Sequence, residues 1–244
     1  MLAAYPHPGL GFTQGLIAGT GAAQDTAIWE STGQYGESSL RRYRLGDTQP
    51  GRRASLPPQL FGEGICRVGA GAYIWQLTWQ NRVALRWDAR TLRLAGQVPY
   101  DREGWGICAA AGGWPVITSD GSAELVHRDP DTLAPVHAVP VRLDGEPVPG
   151  LNDLAWAGDR VWANVIHSTL VIGIDPGSGE VTDVVDAGRA SERHSYDQAV
   201  MNGIAALPAD GEFLLTGKTW RAIRKVRLVP GRVRLRAIRA GLLL

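Results

Sequence analysis

The amino-acid sequence predicts an all-β fold, a five-bladed β-propeller with four antiparallel strands per blade, formed by residues 1–244 as a single domain. Three observations predict it. Five similar segments recur along the chain, short strand-like runs follow each of them, and no amphipathic helical stretch of ten or more residues lies between them. In a propeller, blades of four short strands surround a central channel, so the first strand of each repeat is expected to line that channel.

The five recurring segments set the period of the repeat. Their equivalent positions are 42 to 50 residues apart, which matches propeller blades and exceeds leucine-rich and ankyrin repeats. The period alone also fits helical repeats, but the alternating and apolar runs that follow favour strands. The segments are Phe12–Ile17, Phe61–Cys66, Glu103–Cys108, Leu151–Trp156 and Met201–Ala206.

Two further runs in each repeat supply the second and third strands. The second runs are Ala27–Glu30, Tyr73–Trp79, Val116–Thr118, Arg160–Val165 and Phe213–Thr216. The third runs are Ser39–Arg44, Ala84–Asp88, Glu124–Asp129, Leu170–Asp175 and Ile223–Arg227. Turns that begin at Asp88, Asp129 and Asp175 lead into a fourth strand, because an Asp side chain readily binds the backbone two or three residues on.

Strands are predicted near both ends of the chain. We expect the N-terminal stretch Ala3–Pro6 to close the ring by pairing with the last blade. Near the C-terminus, Arg232–Ile238 alternates basic and apolar residues. We interpret it as an outer strand with one solvated face rather than as a nucleic-acid-binding patch, because no other basic cluster supports it.

Composition and charge exclude several classes of function. The 25 Lys and Arg nearly balance 24 Asp and Glu, so no long-range field attracts nucleic acid or an anionic membrane. Cys66 and Cys108 are too few for a disulfide framework, no His has a zinc-site spacing, and buried free thiols are expected.

No apolar run approaches a membrane span, and the start at Met1 lacks an export signal. We expect a soluble protein, cytoplasmic as written and exported if a leader was removed; the sequence carries no signal for its oligomeric state.

One ring of side chains is predicted near one mouth of the channel. The residues at this position are Gln14, Glu63, Trp105, Asn152 and Asn202. A purely structural repeat tolerates small apolar residues there, whereas this ring holds one carboxylate, three amides and one indole. These groups could satisfy buried backbone and bound water, or they could form a binding site. We favour the binding site.

Two residues that follow second strands support this interpretation. Trp79 and Lys218 occupy matching repeat positions, although a lone Trp is usually in the core and a lone Lys is usually solvated. Together with the ring they supply a carboxylate, an ammonium group, amide donors and an aromatic wall. A few converging polar groups of this kind are typical of a small-molecule site.

These segments resemble the glutamine cyclotransferase family, the plant and bacterial glutaminyl-peptide cyclotransferases. The similar motifs follow the same order along most of the chain. They are Tyr5–His7 with Phe12–Gly15, Glu30–Ser38, Phe61–Gly64, Leu77–Trp79, Glu103–Gly106, Ser119–Ser122, Leu151–Asn152, Ala163–Val165, Asn202–Ala205 and Thr216–Trp220.

The resemblance implies a five-bladed propeller that converts an N-terminal glutaminyl residue of peptides or proteins to pyroglutamyl and releases ammonia, an aminoacyl transfer. It implies a pocket with Glu63 as the acid/base residue and with Gln14, Asn152 and Lys218 as further catalytic residues. The substrate-binding residues it implies are Phe12, Phe61, Trp79 and Trp105. The chemistry leaves open which amide or ammonium group stabilises the oxyanion. No cofactor is required; some members carry a calcium ion, which we interpret as structural and to which we assign no ligands.

The sequence also departs from the family pattern. Ile166 replaces a Trp, Asp153 and Ala155 replace two Glu residues, and Pro6–Gly9 alters an early motif. These departures leave two alternatives: a propeller that lost the reaction and binds peptides or a partner protein, and a calcium-dependent lactonase-like hydrolase. Turnover of Gln-initiated peptides that depends on Glu63 and survives a chelator distinguishes the enzyme from both.

Overall fold

The computed structural model describes residues 1–20, 25–192 and 200–229 and confirms the five-bladed β-propeller. Each blade is an antiparallel sheet of four strands, and in the first four blades the strands pair in sequential order. The described residues form no α-helix and one 3-10 turn, Ala111–Gly113. Among them, no helix has the length and apolar character needed to cross a membrane.

The strands follow the predicted runs closely, and each blade begins at the channel. The N-terminal strand is β1 (Ala3–Pro6). Blade 1 contains β2 (Thr13–Ala18), β3 (Ala27–Thr32), β4 (Ser39–Arg44) and β5 (Arg52–Ser55). Blade 2 contains β6 (Gly62–Val68), β7 (Tyr73–Thr78), β8 (Val83–Asp88) and β9 (Leu94–Pro99). Blade 3 contains β10 (Ile107–Ala109), β11 (Val116–Thr118), β12 (Glu124–Arg128) and β13 (Pro135–Pro140).

A short hairpin separates the third blade from the last two. It consists of β14 (Arg142–Leu143) and β15 (Glu146–Pro147). Blade 4 contains β16 (Leu151–Ala157), β17 (Arg160–Val165), β18 (Leu170–Ile174) and β19 (Val181–Asp186). Blade 5 contains β20 (Met201–Ala206), β21 (Glu212–Gly217) and β22 (Ala222–Arg227) and is completed by β1.

The N-terminal strand closes the ring, as predicted. Strand β1 pairs antiparallel with β22, with Ala3 opposite Lys225 and Pro6 opposite Ala222. Blade 5 thus combines strands from both ends of the described chain, which ties the first residues to the last blade. The predicted outer strand Arg232–Ile238 lies outside the described residues.

Apolar clusters between neighbouring blades form the core. Successive residues of an inner strand point to opposite faces, so Leu154 packs with blade 3 while Ala155 packs with blade 5. Cys66 and Cys108 are buried free thiols in two different clusters, as expected. The hydrophobic core therefore lies between the blades.

The inner strands of four blades carry a β-bulge at the ring position. In these blades the pairing register shifts around Gln14, Glu63, Asn152 and Asn202. A bulge adds an unpaired residue to one strand and re-aims its side chain, and bulges are common beside functional sites. In these four blades, the ring residue therefore lies where the hydrogen-bond pairing between the first and second strands is interrupted.

Blade 3 differs from the other four. The prediction that its first strand starts at Glu103 is wrong, because β10 begins only at Ile107. The backbone N–H of Gly104 donates to the carbonyls of Thr78 and Trp79 in blade 2 instead of joining the blade 3 ladder. This crossing explains the late strand start and places Trp105 against the neighbouring blade.

Candidate active site

A buried carboxyl group, Glu63, lies at the ring position of blade 2. Its side chain accepts a hydrogen bond from Gln14 Nε2 at 2.8 Å, and Gln14 Oε1 accepts one from Asn202 Nδ2 at 2.7 Å. The two bonds orient both amides and form a chain that runs from blade 5 through blade 1 to blade 2. Glu63 is therefore held by a network of ring residues rather than by contacts within its own blade.

Burial raises the pKa of Glu63 well above its usual value. The positive charge of Lys218 and the hydrogen bond from Gln14 oppose this effect without overcoming it, and the negative charges of Asp153 and Glu103 add to it. Burial also lowers the pKa of Lys218, while the charge of Glu63 acts in the opposite direction. Strongly shifted acids and bases of this kind are concentrated at functional sites.

An aromatic wall lies beside these groups. Phe61 makes edge-to-face contacts with Phe12, with centroids 6.2 Å apart, and with Trp79, at 5.6 Å. The ammonium group of Lys218 lies 4.8 Å from the centroid of the Phe12 ring, and the backbones of these two residues form a β-bridge. The wall and the cation are thus fixed to each other by strand pairing. Tyr35, which the sequence did not single out, extends the wall from the outside with a centroid 5.4 Å from that of Phe61.

Glu103 joins the two indoles of the site. Its Oε2 accepts hydrogen bonds from Trp79 Nε1 at 3.0 Å and from Trp105 Nε1 at 3.3 Å, and its Oε1 accepts one from Gln80. Sequence reasoning assigned Glu103 no role, although it opens the motif that contains Trp105. The signal that could have found it is a carboxylate two residues before a ring Trp, within reach of a second indole N–H.

The position directly after the second strand forms another ring around this mouth. Its five members are Gly33, Trp79, Ser119, Ile166 and Lys218. A Cβ at Gly33 would overlap the Phe61 ring, so glycine makes room for the wall. Ser119 binds backbone groups of Gly106 and Asn152. Only two of the five therefore supply an aromatic or charged group, and half-buried Ile166 leaves an aliphatic side chain where the family pattern has an indole.

Asn152 stands apart from the other predicted site residues. It is buried on the same ring, but the hydrogen bond that it makes to a neighbouring side chain uses its main-chain oxygen, which accepts from Ser119 Oγ at 2.8 Å. Within the described residues, its side-chain amide makes no hydrogen bond. The structure thus connects Gln14, Glu63, Lys218 and the four aromatic residues by direct contacts or charge, whereas the amide of Asn152 is only their neighbour on the ring.

Asp153 is a second buried carboxyl group in the channel. Its Oδ2 accepts backbone N–H groups of Leu16 at 3.3 Å and Ile204 at 2.9 Å, so it links blade 4 to blades 1 and 5. Burial raises its pKa well above the usual value, and these hydrogen bonds oppose the shift. Asp153 thus connects inner strands across the channel.

The family resemblance implies a calcium site in the channel, and its residues can be compared with what calcium binds. Calcium binds six to eight oxygen ligands, several of them from ionised carboxylates. Among the described residues, no group of three or more His, Cys, Asp or Glu side chains could hold a metal. Asp153, the carboxyl at the centre of the blades, has a raised pKa and binds backbone N–H groups. These residues do not fit a carboxylate-rich calcium site, and we assign no ligands.

The two ends of the channel differ in character. At the opposite end, a cavity of about 220 Å³ is lined by the last residues of the five inner strands, most of them apolar. The carboxyl, ammonium and amide groups described above lie at the other end, beside the aromatic wall. Among the described residues, the groups suited to proton transfer are therefore concentrated at the mouth beside the aromatic wall.

A five-bladed propeller with a buried carboxyl group, a cation and an aromatic wall at one channel mouth is the framework of a small-molecule or peptide-processing site. The chain belongs to the glutamine cyclotransferase family, whose model matches residues 1–228.

Two relatives extend this comparison. The chain is 30% identical over 235 residues to a glutaminyl-peptide cyclotransferase of Arabidopsis thaliana, covering 93% of this chain and 70% of that protein. The crystal structure of Myxococcus xanthus glutaminyl cyclase superposes with a TM-score of 0.83 at 34% identity, covering 95% of this chain and 96% of the other.

Proposed function

We propose that this protein is a glutaminyl-peptide cyclotransferase, which cyclises the N-terminal glutamine of peptides or proteins to pyroglutamate and releases ammonia, an aminoacyl transfer. Membership of the family and both relatives support the activity. The observation that carries the mechanism is the buried Glu63, whose pKa is raised and whose carboxyl is held by Gln14.

The reaction needs one proton to move between two nitrogen atoms. The α-amine nitrogen of the substrate attacks the γ-amide carbon, a new C–N bond forms, and the bond to the amide nitrogen breaks to release ammonia. Glu63 passes the proton from the attacking nitrogen to the leaving one and returns to its starting state. A raised pKa suits this role, because the acid form then persists at a pH where the α-amine, with its usual pKa near 8, is partly neutral.

The aromatic wall orients the substrate for ring closure. The glutamine side chain must fold back on its own amine, and an aromatic enclosure of Phe61, Trp79 and Trp105 favours this compact form over extended ones. Orientation of an intramolecular reaction accounts for a large share of its acceleration. Glu103 supports the enclosure by holding both indole N–H groups, which fixes the planes of Trp79 and Trp105.

Lys218 is the donor we favour for the oxyanion that forms on the γ-amide oxygen. Its positive charge acts on Glu63 and its ammonium group is held against Phe12, so its charge needs no rearrangement during the reaction. Gln14 has a second N–H beyond the one given to Glu63, and Asn152 is buried on the same ring; both are candidates for a supporting role.

This mechanism needs no metal, since the carboxyl group and the ammonium group supply the proton transfer and the charge. We expect turnover of a Gln-initiated dipeptide amide to persist after incubation with a chelator. Esterase or lactonase activity that is restored by added calcium would instead favour a hydrolase that depends on the cation.

The decisive experiment is mass spectrometry of a Gln-initiated dipeptide incubated with wild-type protein, Glu63→Gln and Glu103→Gln. The product lacks the mass of one ammonia. We expect Glu63→Gln to lose about 10²- to 10⁴-fold in rate, the usual range for an acid/base residue. Glu103→Gln keeps an acceptor for the indoles and is expected to lose much less. Equal slow background with wild-type protein and Glu63→Gln would refute the enzyme and favour the peptide-binding alternative.

A further inference from the structure

A cavity of about 320 Å³ lies on blade 1, next to the proposed active site. It is lined by the loop that leads into Phe12, by Gly33 and by side chains of β4 and β5. Phe12 and Gly33 belong to both places, because Phe12 contacts Lys218 and Phe61 and the Cα of Gly33 borders the Phe61 ring. The cavity therefore begins where the aromatic wall ends.

Two arginines give this cavity a basic lining. Arg41 and Arg53 are direct cross-strand partners on β4 and β5, an arrangement of like charges that is unfavourable by itself. Arg41 is 4% exposed; it binds Glu30 and the Pro8 carbonyl, and its Nε has no hydrogen-bond partner. Arg53 is exposed and held by the main-chain oxygen of Glu37.

The acidic groups around this cavity leave Arg53 available to a ligand, whereas Arg41 is already paired with Glu30. Glu37 also lines it, but among the described residues its carboxylate makes no ion pair with Arg41 or Arg53. On the far side of the site the charge is reversed, because Glu103 lies between the two indoles. A peptide carboxylate outside the pocket is thus repelled by Glu103 on the blade 3 side. It is attracted by Arg53 on the blade 1 side.

We propose that this cavity is a subsite for the residues that follow the N-terminal glutamine, and that it selects a carboxylate at the third to fifth position of the peptide. The inference rests on the proposed cyclotransferase function. Strands of a sheet are about 4.8 Å apart, so β5 lies about 14 Å from the inner strand of its blade. An extended peptide advances about 3.4 Å per residue, which places those positions over Arg53.

The test is a positional scan with Gln-initiated hexapeptide amides that carry one Glu at position 2, 3, 4, 5 or 6, each compared with the same peptide carrying Gln there. We expect Glu at positions 3 to 5 to raise kcat/KM by about two- to fivefold, the range of an exposed ion pair. The gain is expected in KM, because the contact is equal in ground and transition states. Added salt is expected to reduce it.

Neighbouring arginines on β5 provide a matched pair of variants. Arg53→Gln is expected to abolish the preference for Glu, whereas Arg52→Gln is expected to preserve it, because successive residues of a strand face opposite sides and Arg52 pairs with Arg42 rather than Arg41. Both variants remove one positive charge from an exposed position. Equal loss in the two would show a general charge effect and overturn the subsite.

A second set of peptides distinguishes a side-chain carboxylate from the carboxylate at the C-terminus of the peptide. Gln-initiated tetrapeptides without acidic side chains are compared as free acids and as amides; a gain for the free acids that disappears in Arg53→Gln shows that the subsite also accepts a chain end. A flat positional scan with active wild-type protein overturns the subsite alone. If wild-type protein fails to convert even a neutral Gln dipeptide amide, the proposed function itself fails.

Discussion

Two buried glutamates on adjacent blades show how surroundings separate a structural carboxylate from a reactive one. Glu30 on blade 1 is 0% exposed and Glu63 on blade 2 is 5% exposed. Burial raises the pKa of both, but at Glu30 the charges of His7 and Arg41 and the hydrogen bonds from His7 and Tyr43 outweigh it and lower the pKa to about 2. At Glu63 the charge of Lys218 and the hydrogen bond from Gln14 do not overcome burial, and the pKa stays well above its usual value.

The difference lies in the number and kind of donors. Glu30 Oε1 accepts from His7 at 2.9 Å and Thr13 at 2.8 Å, while its Oε2 accepts from Arg41 at 2.6 Å and Tyr43 at 2.8 Å. Glu63 has one neutral amide donor in the described residues, on one oxygen. A saturated carboxylate cannot give or take a proton readily, whereas Glu63 keeps an oxygen for a substrate.

The largest expected effect on stability is that of Glu30→Gln. The change leaves the charge of Arg41 buried without its partner, and breaking such a pair typically costs about 3 to 5 kcal/mol of unfolding free energy. Glu63→Gln is expected to be at least as stable as wild-type protein, because the amide resembles the protonated acid that burial favours. Urea unfolding at neutral pH measures both; a comparable loss in the two variants would erase the contrast.

The same pair gives opposite dependences of stability on pH. The pKa of Glu30 falls from 4.5 to about 2 on folding, so its contribution is present above pH 4.5 and is lost as the pH falls through about 2. The pKa of Glu63 rises on folding, so its contribution is full below 4.5 and is lost as the pH rises through the folded value. Acid titration of Glu30→Gln is expected to show a shallower decline between pH 4.5 and 2 than that of wild-type protein.

Asp153 sharpens the comparison, since it too has a raised pKa yet takes part in backbone contacts. Asp153→Ala leaves the N–H groups of Leu16 and Ile204 without their acceptor and is expected to cost about 2 to 4 kcal/mol of unfolding free energy. Asp153→Asn keeps an acceptor oxygen and is expected to cost less.

Turnover separates Asp153 from Glu63. Asp153→Asn is expected to lose far less activity than Glu63→Gln, measured with the same Gln dipeptide. Equal loss of activity in the two variants would not distinguish Glu63 from another channel carboxyl group with a raised pKa. The assignment of Glu63 as the acid/base residue would then no longer be supported.

The sequence predicted the fold well because the repeat determines it. Four of the five segment openings, the second and third runs and the closure by Ala3–Pro6 recur as strands. The start of blade 3 was missed because Gly104 binds the carbonyls of another blade, a contact that no local pattern encodes. Period and alternation therefore predict the strands, whereas their ends depend on neighbours distant in sequence.

The candidate site was harder to predict than the fold. The sequence could place Gln14 and Glu63 on one ring but could not show that Asn202, which had no role beyond lining the channel, orients Gln14. It also gave no role to Glu103 or Tyr35, because their value depends on indole and phenyl groups that other blades supply. The environment that raises the pKa of Glu63 likewise arises only when the blades assemble.

Asn202 tests whether the hydrogen-bonded chain matters for the reaction. Asn202→Ala frees the amide of Gln14, which weakens its bond to Glu63, and is expected to lower kcat about fivefold to thirtyfold, or about 1 to 2 kcal/mol. Gln14→Ala is expected to cost at least as much. Because the two act in one chain, the double variant is expected to lose little more than Gln14→Ala alone. Additive losses in kcat would show that Asn202 acts independently of Glu63.

The smallest effect is expected from Lys218→Met on the pH dependence of kcat/KM. The charge of Lys218 lowers the pKa of Glu63, so its removal raises that pKa further. Whether Glu63 starts as acid or as base, the limb of the profile that reports its titration is expected to move to higher pH. Lys218→Arg keeps the charge and is expected to leave that limb close to wild type. A limb that stays unchanged in Lys218→Met, or moves to lower pH, would contradict an effect of the Lys218 charge on the pKa of Glu63.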